Sequence, residues 1–127
     1  MIWLSKAHIL RLHGRALAKT GGADGLRDEG LLDSALEAPL AGFAGQDAYP
    51  TIEARAARLA FGLVNNHPFV DGNKRIGVLA MIVTLAVNGI VVTATNDDLI
   101  DLGFGLAEGR LTVEDVVDWV TSHTSGR

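Results

Sequence analysis

The 127-residue sequence contains no cysteine, which excludes a disulfide framework and thiol catalysis and is consistent with a reducing compartment. It also has no excess of basic residues. The 11 Lys and Arg residues against 15 Asp and Glu residues give a formal net charge of −4, unlike the basic surface of a DNA-binding domain. We therefore expect no direct nucleic-acid partner.

Hydrophobic runs long enough to cross a membrane are also missing. The most apolar run, 76–87, has twelve residues before Asn88-Gly89 interrupts it, whereas a bilayer requires roughly 20. The N-terminus lacks the charged lead, the long apolar run and the cleavage site of a signal peptide. The sequence therefore predicts a cytoplasmic protein with no membrane partner.

Composition and length predict a single domain over residues 1–127. Apolar residues make up 48% and charged residues 20% of the chain, which are ordinary values for a protein with a buried core. No internal repeat or low-complexity tract is present. The polar tail from about 122 to 127 is expected to fray.

Apolar periodicity and capping residues predict six helices and hence an all-α fold. The predicted N-caps are Ser5, Asp28, Thr51, Asn96 and Thr112, the last supported by Asp115 three residues later. The first predicted helix follows Ser5 and ends at about 19. The other five span 29 to about 37, Thr51 to 65–66, 73 to 87, Asn96 to 104, and 113 to about 122.

Two segments between these helices are predicted to be irregular. Residues 40–50 form the longest loop-like stretch, and long loops in compact domains are often functional. Residues 90–95 are β-branched, but no second strong strand candidate exists to pair with them. The sequence predicts an extended connector there.

Groups suited to proton transfer and metal binding concentrate in residues 67–75, His-Pro-Phe-Val-Asp-Gly-Asn-Lys-Arg, between two apolar helices. His67, at a helix end, can accept a proton near neutral pH. Asp71 is a suitable ligand for Mg²⁺, which takes one or two carboxylates and keeps most of its waters. Phe69 is predicted to anchor the loop in the core.

The second half of this motif is suited to binding phosphate. Gly72 permits a positive φ, and it precedes free amide groups where the helix starts at Asn73. Lys74 and Arg75 could neutralise two phosphate groups of a nucleotide. The motif therefore predicts a phosphate-transfer site.

Three other functional interpretations do not fit the sequence. A Walker-type loop would require a preceding strand, an earlier glycine and Ser or Thr in place of Arg75. A zinc hydrolase would require a His-Glu-x-x-His run. His8 and His13 lie five residues apart on the first helix, not four, so we interpret them as surface or partly buried histidines rather than a metal pair.

The motif resembles the signature of the Fic fold, which is histidine-x-phenylalanine-x-acidic, then glycine or alanine, asparagine, glycine or lysine, and arginine. The resemblance extends through 25–35 and Tyr49-Pro50 and is strongest to the death-on-curing (Doc) toxin branch. It implies an all-α Fic fold, a compact bundle of about six helices with the motif loop between the two central ones.

The resemblance also implies roles for individual residues. His67 would deprotonate a Ser or Thr hydroxyl, Asp71 would bind Mg²⁺, and Arg75 would hold a phosphate. Lys74 would be an added cation that selects an inverted ATP pose. Gly72 and Asn73 would line the phosphate pocket.

Two positions depart from the wider Fic pattern. Members that transfer AMP usually carry glycine at the position of Lys74 and a second arginine at the position of Val78. Both departures support the Doc branch, which resembles the AMP-transferring members in its site but is implied to be a protein kinase that passes the γ-phosphate of an inverted ATP.

The resemblance therefore implies a toxin of a type II toxin-antitoxin system. Its target would be a translation factor, elongation factor Tu, aligned beside the site by the region 43–49. Its inhibitor would be an antitoxin whose C-terminal segment folds onto the toxin. Two alternatives stay open, an AMP transferase of the same fold and a binding module that inhibits its target without catalysis.

Overall fold

The computed structural model describes residues 1–125, which form six α-helices and four strands of two residues each. This confirms the predicted all-α fold. A short 3-10 turn, Ala38–Leu40, follows the second helix. The helices are α1 Lys6–Thr20, α2 Glu29–Glu37, α3 Ile52–Asn66, α4 Asn73–Val87, α5 Asn96–Ala107 and α6 Val113–Ser122.

Most helices begin at the capping residues that the sequence indicates. The side chains of Ser5, Asp28, Thr51 and Thr112 each accept a hydrogen bond from a backbone amide three residues later. The predicted cap Asn96 is wrong by one residue. Thr95 is the N-cap of α5, because only Thr95 has Asp98 at the position that completes a reciprocal capping box.

Helices α3 and α4 form the centre of the molecule and contribute to two apolar cores. One core lies between α3, α4, α5 and α6 and includes Met81, Leu102 and Val116. The other lies between α1, α2, α3 and α4 and includes Leu59 and Phe69. The segment that joins α3 to α4, which contains the motif, is thereby placed beside the second core.

The strands are too short to be predicted from periodicity. The predicted loop 40–50 contains a hairpin in which β1 (Gly42–Phe43) pairs with β2 (Gln46–Asp47). The predicted connector 90–95 contains β3 (Val91–Val92), which pairs antiparallel with β4 (Thr124–Ser125). The expectations of an unpaired connector and of fraying at 124–125 are therefore wrong, while residues 126–127 of that tail lie outside the described residues.

Across residues 1–125, none of the helices has both the length and the apolar character needed to span a bilayer.

Candidate active site

His67 lies where α3 ends, with a left-handed backbone conformation (φ 53°, ψ 53°). Arg27 stabilises this end of α3, because its Nε donates to the carbonyl oxygen of His67 (2.6 Å) and its Nη2 to that of Asn66 (3.0 Å). The His67 side chain is exposed. Its imidazole has no hydrogen-bond partner within residues 1–125, so a ring nitrogen is available to accept a proton.

The motif loop is held against the segment before α2. The amides of Arg27 and Asp28 donate to the carbonyl oxygen of Pro68, at 2.7 and 2.9 Å. Phe69 is 1% exposed and forms an isolated β-bridge with Leu26. The predicted role of Phe69 as the hydrophobic anchor of the loop is confirmed.

Asn73 closes the loop from the other side. Its side-chain amide donates to the carbonyl oxygen of Phe69 and its Oδ1 accepts from the amide of Phe69, both at 3.0 Å. Asn73 is only 5% exposed. Its side chain is therefore committed to holding the loop, and its contribution to a phosphate pocket is limited to its backbone amide.

The N-terminus of α4 has backbone amides without partners in the helix, which are groups suited to binding an anion. Gly72 takes a left-handed conformation (φ 80°) as the N-cap and leaves the helix without a side-chain cap. The first backbone bond is from Ile76 to the carbonyl oxygen of Gly72, at 2.9 Å. The amides of residues 73–75 are thus left for an external acceptor, with the positive end of the helix dipole behind them.

Asp71 lies between this N-terminus and the glycine-rich turn after α1. Its Oδ1 accepts from the amide of Gly72 (2.8 Å) and its Oδ2 from the amide of Ala23 (3.2 Å). A Cβ on Gly22 would lie 2.8 Å from Oδ2, so the close approach suits glycine there. The carboxylate is exposed and stays available on its outer side.

Lys74 and Arg75 project on opposite sides of the α4 N-terminus. The Lys74 Nζ lies 4.0 Å from the centre of the Phe104 ring on α5, and the Arg75 Nη1 donates to Thr20 Oγ1 at 2.8 Å. Neither cation takes part in an ion pair within the described chain. Their positive charge therefore remains available to a ligand.

These groups share a cleft of about 1080 Å³ between α4 and α5. One end is polar and the other is lined by apolar side chains, including Val78, Ile82 and Leu99. This volume suits a nucleotide-sized ligand. All six predicted site residues line the cleft: His67, Asp71, Gly72, Asn73, Lys74 and Arg75.

The hairpin lies in the region 43–49, which the resemblance implies would align the target, and it contributes no residue to the lining of this cleft. It is tied to α3 instead, because Arg55 pairs with Asp47 (3.2 Å) and donates to the carbonyl oxygen of Tyr49 (2.9 Å). Phe43 at its tip is 88% exposed. Its role toward a target stays a prediction.

Sequence reasoning missed several residues that support the site. Arg27 and Thr20 contact the motif as described above. The prediction that His13 is a surface or partly buried residue is wrong, because His13 is 3% exposed and stacks on Phe69. A signal for His13 exists, since it shares the buried face of α1 with Ile9 and Leu17. His8, in contrast, is exposed, and its side chain bonds Ser5 in the capping box of α1.

Comparison with known proteins agrees with this arrangement. Residues 3–85 match the sequence profile of the Fic/DOC family, and this range contains the whole motif loop. The chain belongs to the Fic/DOC family.

Among its relatives is a protein named Toxin Doc from Mycolicibacterium smegmatis, which is 44% identical over 77 residues. That match covers 61% of this chain and 59% of the relative, so it spans less than two thirds of that protein. The chain is also similar to the Protein kinase doc of Escherichia phage P1, with 28% identity over 115 residues, 91% of this chain and 90% of the relative.

Proposed function

We propose that this protein is a Doc-type toxin that transfers the γ-phosphate of ATP to a Ser or Thr hydroxyl of a translation factor, elongation factor Tu, and so arrests translation. One observation carries the proposal. The exposed imidazole of His67 lines the same cleft as the uncapped N-terminus of α4 and its two unpaired cations. The names of the two relatives support the toxin and kinase parts of this assignment.

His67 is the general base in this proposal. Its ring is exposed to the cleft, so a target hydroxyl can approach it without displacing a partner. The amides of residues 73–75 and the Arg75 guanidinium bind phosphate oxygens and stabilise the charge that develops during transfer. Catalysis therefore combines positioning, one base and charge neutralisation.

Asp71 is suited to be a ligand of Mg²⁺ in this proposal. No group of three or more His, Cys, Asp or Glu side chains suited to a metal occurs within the described chain, and Mg²⁺ bound with nucleotide needs only one or two protein carboxylates. The Asp71 carboxylate is exposed beside the anion-binding amides. When bound, the ion would neutralise phosphate charge and orient the nucleotide.

Lys74 and Val78 favour phosphate over AMP transfer. Lys74 places an ammonium group in the cleft, where it favours the inverted ATP pose that exposes the γ-phosphate to His67. Val78 lines the cleft at 8% exposure. It has no charge with which to hold the terminal phosphate in the ATP pose that leads to AMP transfer.

A cognate antitoxin is part of the same proposal, because toxins of this branch are inhibited by a partner whose C-terminal segment folds onto them. The apolar end of the cleft offers a surface for such a segment.

The assignment is tested by incubating purified protein with elongation factor Tu and ATP labelled at either the α or the γ position. We expect the γ label alone to stay on the target, with a mass gain of one phosphate. The variant His67→Ala should keep the fold and lose roughly 10²- to 10⁴-fold in transfer rate, as expected for removal of a general base.

The matched control is His8→Ala, which removes another exposed imidazole, on α1. It should transfer phosphate at the wild-type rate. Retention of the α label would show AMP transfer and overturn the kinase assignment. Growth arrest that survives simultaneous alanine substitution of His67, Asp71 and Arg75 would overturn catalysis altogether.

A further inference from the structure

His13 is a buried ionisable residue that the proposed reaction does not use. It lies on α1 and is 3% exposed. Its imidazole stacks on the ring of Phe69, with 3.7 Å between ring centres and 12° between ring planes. Its Nε2 lies 2.7 Å from the backbone carbonyl oxygen of Asp71. His13 therefore contacts two residues of the motif loop, Phe69 and Asp71.

The direction of this hydrogen bond is fixed by chemistry. A carbonyl oxygen can only accept, so the Nε2 of His13 must carry a proton and donate it. In the neutral ring this selects the tautomer protonated at Nε2.

The accepting carbonyl belongs to the peptide group between Asp71 and Gly72. Because that group is planar, fixing its oxygen also fixes the direction of the Gly72 N–H. The same N–H donates to Asp71 Oδ1 at 2.8 Å. A hydrogen bond from His13 thus sets the position of the Asp71 carboxylate through one rigid unit.

The packing around this peptide leaves little room for another arrangement. A Cβ on Gly72 would lie 3.4 Å from the His13 Nε2 and 3.3 Å from Leu17 Cδ2. The backbone at Gly72 therefore lies directly against α1. Helix α1 thus supports the backbone from which the free amides of residues 73–75 follow.

We propose that His13 is a positioning residue for the site. Its Nε2–H holds the peptide between Asp71 and Gly72, and its ring supports Phe69, so that the carboxylate and the α4 amides face the cleft together. The inference rests on the proposed function in one respect, which is that the ligand presented to these groups is Mg²⁺·ATP.

Two substitutions separate the two contacts. His13→Phe keeps an aromatic ring against Phe69 and removes the donor, whereas His13→Gln keeps an N–H at similar reach and removes the ring. His8→Phe is the matched control, because it makes the same change at an exposed position of the same helix.

Three measurements are made on each protein: the thermal unfolding midpoint, the amide-proton shift of Gly72 by NMR, and the Kd of Mg²⁺·ATP by calorimetry. For His13→Phe we expect a folded protein with a displaced Gly72 signal and roughly ten- to a hundred-fold weaker binding, the range found when a partner of a metal ligand is removed. His13→Gln should recover most of the binding. His8→Phe should match the wild type in binding and in the Gly72 signal, while its unfolding midpoint falls by the loss of the bonds between His8 and Ser5 at the start of α1.

Unchanged binding and an unchanged Gly72 signal in His13→Phe would overturn the proposal, as would a failure of His13→Gln to bind better than His13→Phe. Should His13→Phe fail to fold, the ¹⁵N shifts of the wild-type His13 ring decide, because a proton on Nδ1 alone contradicts the assigned donor. Should wild-type protein not bind Mg²⁺·ATP, the proposed function fails, while the Gly72 signal and the ring tautomer still decide the role of His13.

Discussion

At the scale of single residues, the backbone of His67 stands out. A non-glycine residue with positive φ is uncommon, and the left-handed conformation of His67 costs roughly 1–2 kcal/mol. The bonds from Arg27 to the last two carbonyls of this turn hold the conformation in place. The sequence predicted that the helix ends at 65–66, because Pro68 disfavours helix at His67, but the sign of φ at His67 depends on these tertiary bonds.

Replacing His67 should therefore separate stability from activity. His67→Gly removes the cost of the left-handed conformation and should raise the free energy of unfolding by about 1 kcal/mol over that of His67→Ala, while both variants lose transfer. Urea unfolding of the two variants measures the difference. A glycine variant less stable than the alanine variant would show that this conformation carries no cost.

At the scale of secondary-structure elements, prediction succeeded where the signal is local. Caps such as Ser5 and Thr112 act within one turn, so adjacent residues suffice to locate a helix start. The error at α5 arose because Thr95 and Asn96 are both good caps in isolation. The pairing of β3 with β4 was missed because it joins residues more than thirty positions apart, and two-residue strands carry no periodic pattern.

The close packing of α3 on α4 depends on Gly77. A Cβ at this position would lie 2.6 Å from Val64 Cγ2 and 3.2 Å from the carbonyl oxygen of Ala60. We expect Gly77→Ala to lower the free energy of unfolding by about 1–3 kcal/mol, since the added methyl group must push the helices apart. Chemical denaturation measures the change.

Gly14 provides the matched control for Gly77→Ala. It lies within α1 with no atom within 4 Å of an added Cβ, so Gly14→Ala should stabilise the protein by about 0.5–1 kcal/mol through helix propensity alone. Equal effects at the two positions would contradict the proposed role of Gly77 in helix packing.

At the scale of the whole molecule, the site combines one contiguous motif with supports from distant segments. The motif residues could be predicted because they are adjacent in sequence and differ chemically from their surroundings. His13, Thr20 and Arg27 could not, because each reaches the motif only after α1 and the turn that follows it pack against α4. Local sequence does not indicate these contacts, although the apolar face of α1 indicates that His13 is buried.

The two cores share α3 and α4, so they should unfold together. We expect a single calorimetric transition for the wild type. Leu59→Ala in one core and Val116→Ala in the other should each move that same transition to lower temperature, and the leucine variant should lose about 2–5 kcal/mol. Two separate transitions in either variant would contradict the predicted single domain.

The cleft has walls anchored in different cores. The motif loop is fixed in one core through Phe69, while α5 is fixed in the other through Leu102 and Leu106. Helix α4 contributes to both. Substitutions beneath α5 should therefore change the width of the opening and leave His67 in place, so that ligand size and the proposed chemistry can be altered separately.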